Sequence, residues 1–282
     1  MTHDAHVHDL GFSHDLPRLI GRRRMLGILG ALGLAGAAGP AAALDCVALP
    51  WETAGPYPAD GSNARSGQVV NALTEAGVVR EDIRGSFNGR NGVAEGVDLT
   101  LELSLVDAAG CGPLAGHAIY VWHCDAEGRY SLYDLAEENF LRGVGIADGS
   151  GAVRFRTIVP GCYDGRWPHI HFEVFRSAEA AVSGEASVLT AQMALPKDVS
   201  AAVYAGDVRY EDGTRNLGRI SIARDNVFGD NSAAEIAQQT LVMRGSVAEG
   251  FAGTLTIPVD FTAERRVMAP PPGGPKPQRA GD

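Results

Sequence analysis

The chain has 282 residues, 45% hydrophobic and 21% charged, a composition of folded globular proteins rather than disordered ones. Its formal net charge of −10, with no basic stripe past the N-terminal leader, argues against nucleic acid as a partner. Abundant Gly (36 residues) and scarce Lys suit a strand-rich, loop-rich fold better than a helical bundle.

Residues 1–43 read as an export leader. Arg22, Arg23 and Arg24 open a weakly apolar run, and that run ends in Pro40-Ala41-Ala42-Ala43, an A-x-A cleavage pattern. Paired arginines before such a run are a twin-arginine signal. The run is too short and too rich in Gly and Ala to span a bilayer well, so no membrane anchor is expected after cleavage. The twin-arginine route carries folded proteins, often with a cofactor already loaded, and places the mature protein in the periplasm or outside the cell. The leader also takes away His3, His6, His8 and His14, leaving His117, His123, His169 and His171. All four cysteines, Cys46, Cys111, Cys124 and Cys162, remain. In an exported protein an even count predicts disulfides, with three pairings open; no C-x-x-C spacing supports a thiolate metal site.

Residues 44–268 are expected to form one all-β domain, a β-sandwich of mainly antiparallel strands with long loops. Residues 44–96 read as irregular, with turn signals at Gly55-Pro56 and Asn88-Gly89. Residues 97–107 alternate Val97, Leu99, Leu101, Leu103, Leu105 and predict a strand. Residues 109–113 read as a turn, and 117–125 as a strand buried on both faces. Asp148-Gly149-Ser150-Gly151 reads as a hairpin turn feeding a strand over 152–158. Further strands are predicted at 169–175, 187–195 and 219–223, a helix-like stretch at 233–243, and alternation again at 254–261. Residues 269–282, rich in Pro and Gly, read as a disordered tail.

The chemistry concentrates around Arg166-Trp167-Pro168-His169-Ile170-His171. On a strand, positions i and i+2 share a face about 6.6 Å apart, so His169 and His171 point the same way and Ile170 turns to the other layer. Pro168 fixes the entry to that strand. Spacing alone leaves open whether these are two metal-binding imidazoles or two histidines near a sheet edge. Tyr163 sits on a Pro160-Gly161 turn six positions before His169, and Tyr130 lies in Gly128-Arg129-Tyr130-Ser131, past a buried strand.

In combination, G-x-Y-S, the run D-G-x-G-x-x-x-F-R-T-I-x-P-G-x-Y and R-x-P-H-I-H resemble the intradiol ring-cleavage dioxygenases, the family of catechol and protocatechuate dioxygenases. The resemblance spans about residues 113–196, with a weaker echo at 53–57. It implies one non-haem Fe(III) per chain, held by Tyr130, Tyr163, His169 and His171. The ligand types agree, since phenolate is a hard anionic donor for a hard cation and a bound cation can deprotonate its ligand. The set differs from the two-His-one-carboxylate sites of Fe(II) oxygenases. The implied reaction takes a small aromatic diol and O2 to a muconate-type diacid. Tyr163 is then the ligand that leaves and takes a phenolic proton, while Tyr130 stays bound. Arg166 and Gln192 correspond to catalytic and substrate-binding residues, and Gly55, Pro56 and Tyr57 to pocket-lining ones. Trp122 and His123 read as packing groups around the ligands, and His117 as structural.

The chain departs from the family in lacking room for an N-terminal helical dimerisation segment and in the short spacing from Tyr163 to His169, which predicts a more open pocket. Export is also unusual and points to bulkier catechols. Two rival classes remain at this level: an exported sandwich that binds iron or a catecholate without turnover, and a copper or zinc sandwich using His169 and His171. The second gives Tyr130 and Tyr163 no role. Neither the oligomeric state nor the individual catechol follows from the sequence.

Overall fold

A computed structural model describes residues 46–263. The leader and the tail both fall outside those residues. Ten strands run in chain order: β1 (Asp60–Arg65), β2 (Gln68–Asn71), β3 (Asp98–Asp107), β4 (Ala118–Trp122), β5 (Arg142–Ile146), β6 (Ala152–Ile158), β7 (His169–Phe175), β8 (Leu189–Ala194), β9 (Val242–Ser246) and β10 (Gly250–Val259). Two four-stranded sheets, β6-β3-β10-β9 and β5-β4-β7-β8, make the sandwich; β1 and β2 form a separate hairpin. All pairings are antiparallel except β3 with β10, so the predicted fold class holds.

The alternation in β3 does what a half-buried strand requires. Leu99, Leu101, Leu103 and Leu105 are buried against the second sheet, while Glu102 faces water. Opposite them, Ile119, Val121, Ile170, Phe172 and Val174 fill the same core. Strands β4 and β7 are buried along their whole length because their second face is covered too. There Tyr120 and Trp122 pack with Ala59, Leu73, Tyr130 and Tyr133 from the loops above. That outer face of the second sheet carries the site.

Several expectations need correction. The turn at 148–151 is not a hairpin: β5 pairs with β4 and β6 with β3, so the turn carries the chain from one sheet to the other. Asp148 Oδ1 accepts from the Ser150 and Ala152 amides, which explains the turn signal; the signal does not say which sheet follows. The segment 219–223 forms no strand. It enters a 3-10 turn, Ile222–Arg224, closed by the Arg224 and Asp225 amides on the Ser221 carbonyl. The stretch 233–243 divides. A helix over Ala233–Gln239 starts in a capping box, Ser232 with Glu235, and Val242 and Met243 already belong to β9. Residues 44–96, read as irregular, contain the β1–β2 hairpin, whose sequences have no apolar alternation. β5 was not foreseen, and β10 begins four residues before the predicted start. Three further helices, Ala178–Ser183, Lys197–Gly206 and Gly213–Leu217, lie in the connections.

Of the four cysteines, one pair closes. Cys46 and Cys111 form a disulfide with a sequence separation of 65, while Cys124 and Cys162 are buried thiols. Burial pushes the Cys162 thiol up to about 12, so it stays protonated and inert. The disulfide pins the start of the 46–57 strap to the turn after β3. Beyond it the Leu49 amide donates to Pro258 O and the Glu52 amide to Thr190 O. Cys46→Ser is expected to cost about 4 kcal/mol through the restored loop entropy of the unfolded chain. Urea unfolding of the oxidised parent and the variant checks this; equal midpoints would refute it.

Candidate active site

A single cross-strand row builds the floor of the site. In register across β5, β4, β7 and β8 stand Arg142, Trp122, His171 and Gln192. Directly paired residues share a face, so all four side chains rise on the outer side of the sheet. His169, two residues before His171, rises beside them. Trp122 stacks on the His171 ring, 5.0 Å between centroids and 7° from parallel, which fixes the imidazole's plane. Gly55 comes in from the strap at φ +72°, where a Cβ would stand 3.2 Å from His171 Cε1.

The two tyrosines close the site from above. Tyr163 Oη lies 3.3 Å from His169 Nε2 and 3.5 Å from Tyr130 Oη. The two imidazoles face each other, Nε2 to Nε2, at 3.0 Å. His169 Nδ1 is hydrogen-bonded to the Trp167 carbonyl at 2.5 Å, which makes Nδ1 the donor and leaves Nε2 a bare lone pair aimed into the cluster. The four predicted ligands thus come together. Tyr130 is buried, its ring 4.9 Å from that of Tyr57 and its amide held by Asp134 Oδ2. Tyr163 is only half-buried. Among the described residues no group of three or more His, Cys, Asp or Glu side chains is placed to hold a metal. The candidate set is therefore two phenols and two imidazoles, without a carboxylate or thiolate.

Burial sets the electrostatics. It pushes the Tyr130 phenol well above its ordinary range and Tyr163 up to about 12, the latter against the pull of Arg166. It pushes His169 down to about 3, helped by Arg166, and His171 well below its usual range. Unaided, all four groups are neutral. Two neutral imidazole lone pairs and two phenols awaiting a cation to ionise them fit a highly charged, hard metal ion.

Arg166 is held beside this set. Nε donates to Asp225 Oδ2 at 2.8 Å, Nη2 to Gln192 Oε1 at 2.6 Å, and Nη1 lies 3.4 Å from His169 Nε2. Gln192 is wholly buried, and its Nε2 donates to Thr53 O at 2.9 Å, joining the strap to the arginine. Pro56 O accepts from Asn63 Nδ2, and Tyr57 packs between Tyr130 and Tyr133. His123, expected beside the ligands, is engaged elsewhere, by Cys124 O and by Thr157 Oγ1 of the other sheet, whereas Trp122 does pack on His171; His117 packs by Phe261.

Sequence reasoning missed three charged groups around the site. Asp225 anchors Arg166. Arg142 ties the Tyr57–Pro58 strap to Ser131, next to Tyr130. Glu52 lies behind Gln192, accepting from Asn231 Nδ2 at 2.7 Å and Gln239 Nε2 at 3.3 Å. For Arg142 the signal was a charge inside the run Phe140-Leu141-Arg142-Gly143-Val144. Burial raises Glu52 from 4.5 to about 7. The folded state therefore keeps a proton that the unfolded chain has released across that window. Stability is greatest below it and falls by on the order of 3 kcal/mol as pH rises through it. Glu52→Gln is expected to remove this loss. Urea midpoints of parent and variant at about pH 5 and about pH 8 check it, and parallel pH trends would refute it.

Residues 79–202 match a family model described as Dioxygenase. That segment contains Tyr130, Tyr163, Arg166, His169, His171 and Gln192, but not the strap or Asp225. A catechol 1,2-dioxygenase from Pseudomonas sp. (strain EST1001) is 34% identical over 70 residues, covering 24% of this chain and 23% of that protein, so the match spans under a quarter of the curated relative's length. The fold is that of an intradiol ring-cleavage dioxygenase from Tetranychus urticae, with a TM-score of 0.56 and 20% identity over 77% of this chain and 96% of that one. The solved structure speaks for the fold, and the family model and the curated relative make the segment 79–202, which carries the four clustered side chains, similar to the dioxygenases that cleave catechol-type rings.

Proposed function

We propose that the protein is a non-haem Fe(III) intradiol dioxygenase that inserts both atoms of O2 into a catechol-type ring and releases a muconate-type diacid. The observation that carries this is the meeting of Tyr130, His169 and His171, all buried, with the half-buried Tyr163 in one cluster with no carboxylate among them. These four would hold one iron per chain. When bound, ferric iron supplies a Lewis-acidic centre that draws electron density from a chelating diolate, so that the ring becomes open to O2.

The chain's own residues do the rest. Tyr130, buried and packed on Tyr57, is the fixed phenol. Tyr163 is half-buried and stands on a loop, so it is the phenol able to swing away and take a proton at Oη from a substrate hydroxyl. His169 and His171, locked by Trp167 O and by the Trp122 ring, keep the donor geometry. Arg166 places a positive charge at the rim, where anionic character grows on the ring. Gly55 and Tyr57 wall the opposite side, and Gln192 joins that wall to the arginine. The copper or zinc alternative leaves both phenols idle.

We also propose that the protein acts outside the cytoplasm. The leader pattern and the Cys46–Cys111 disulfide support this. A visible spectrum of the iron-loaded protein, before and after catechol under nitrogen, tests the enzymatic reading. A tyrosinate charge-transfer band that shifts with catechol and decays in air is the expected result. A colourless protein would remove the ligand assignment, and a shift without decay would favour a binding protein.

A further inference from the structure

The geometry assigns Asp225 as the positioning residue that aims Arg166, an inference that rests on the function proposed above. Asp225 lies 59 residues after Arg166, outside the segment matched by the family model, in the loop that leaves the 3-10 turn Ile222–Arg224. Its side chain has 0% exposure. Four donors fill its two oxygens. Oδ2 accepts from Arg166 Nε at 2.8 Å and the Trp167 amide at 2.7 Å; Oδ1 accepts from the Val227 amide at 2.9 Å and the Phe228 amide at 3.1 Å. Three of the four are backbone groups, so the carboxylate has no freedom to turn. It is a fixed anion presented to the Arg166 guanidinium.

The consequence for Arg166 follows from the shape of guanidinium. The group is planar and its five donors form a rigid fork. Asp225 holds the Nε edge and Gln192 holds Nη2. With two edges fixed, the third is fixed as well, and Nη1 points at the ligand cluster, 3.4 Å from His169 Nε2. Without Asp225, nothing on the Nε side opposes repulsion between the arginine and a cation at the cluster, and a long side chain regains its rotamers. The Trp167 amide gives the same carboxylate a second task. It ties down the residue whose carbonyl orients His169. One carboxylate thus sets both the arginine and, through Trp167, the imidazole.

Asn cannot replace it, because one of its two ends must present N–H groups to two incoming donors. The test uses the iron-loaded full-length protein, with Asp225→Asn, Arg166→Lys, Arg166→Met and the Asp225→Asn/Arg166→Met double variant. Three quantities are read: the tyrosinate band and iron content, the dissociation constant of 4-nitrocatechol under nitrogen, and kcat and KM with catechol. Asp225→Asn is expected to keep the band, weaken 4-nitrocatechol binding, and lower kcat by about tenfold to a hundredfold, the scale of a misaimed catalytic group. Joined to Arg166→Met it is expected to add much less than it costs alone, because most of its effect passes through the arginine and only the Trp167 tie remains to be lost. Arg166→Lys keeps the charge but not the fork, and is expected to fall as far as Asp225→Asn. It leaves Asp225 satisfied by the three amides, so it carries the test even if Asp225→Asn does not fold. Parent-like binding and kcat in Asp225→Asn or in Arg166→Lys, or losses that multiply in the double variant, would overturn the inference while the parent still turns over. A parent without colour or turnover would overturn the proposed function, and this inference with it.

Discussion

Tyr130→Phe is expected to strip the protein of its visible band and to lower turnover at least a hundredfold, while leaving the metal-free fold as stable as the parent. The two halves of that expectation come from one geometry. The Tyr130 hydroxyl has its hydrogen-bond contact with another phenol, Tyr163 Oη at 3.5 Å, and no cation or amide depends on it. The ring, which carries the packing against Tyr57 at 4.9 Å, is retained. Removing a buried hydroxyl with so weak a partner costs the metal-free protein little. The same oxygen would be one of four iron ligands. Changes to groups merely supporting a metal ligand already cost about 10- to 100-fold in affinity or activity, so removing a ligand lies at or beyond the upper end. Iron content, the visible spectrum and the metal-free melting temperature separate the halves. A variant that keeps the parent's colour and iron would sink the four-ligand site.

Arg142→Met is expected to do the opposite: to break the fold first and the site as a consequence. Arg142 has no exposed surface. Its Nη1 donates to Tyr57 O and Pro58 O at 3.0 Å each, its Nη2 to Ser131 O at 2.9 Å and its Nε to Ser131 Oγ at 3.0 Å. These acceptors are neutral oxygens on two loops that meet nowhere near one another in sequence. Methionine fills most of the volume but leaves the Tyr57 and Ser131 carbonyls without that donor, at about 1–3 kcal/mol each before relaxation, and Pro58 O with the Tyr120 hydroxyl alone. A net loss of roughly 3–5 kcal/mol, or on the order of 10 °C in melting temperature, is the expected result. Calorimetry of the metal-free protein reads it directly. Because Tyr57 and Ser131 flank Tyr130, iron binding should weaken in parallel. A melting temperature within about 2 °C of the parent would show that the loops are held by packing instead.

The elements whose pattern is local were legible in the sequence. Strand β3 carries its own alternation, and β4 and β7 carry unbroken apolar runs, so their existence and burial followed from period and composition. The candidate ligands were legible as motifs because His169 and His171 share a face by strand geometry, and the two tyrosines were placed by family resemblance. What escaped was long-range. The Asp148 turn specifies its own hydrogen bonds but not the sheet its second strand joins. Residues 219–223 looked like a strand because Ile220 and Ile222 alternate, yet no neighbouring strand was there to pair with them. Arg142, Asp225 and Glu52 were silent because a charge's role when buried is decided by partners 50 to 180 residues away, such as Arg166 for Asp225 and Asn231 for Glu52.

The parallel pairing of β3 with β10 sets a timetable for the protein's birth. Strand β3 lies between β6 and β10, and it meets β10 in register from Leu99 opposite Phe251 to Asp107 opposite Val259. The partners are separated by about 150 residues, and no short connection can bring them together early. On the ribosome, β3 waits with one edge bare while nearly the whole remaining domain is synthesised. A chain halted before residue 250 would display that bare, leucine-rich strand to its neighbours, the kind of edge that recruits other chains. Closure of the first sheet therefore comes late in synthesis, and β10 is the strand that silences the aggregation hazard of β3.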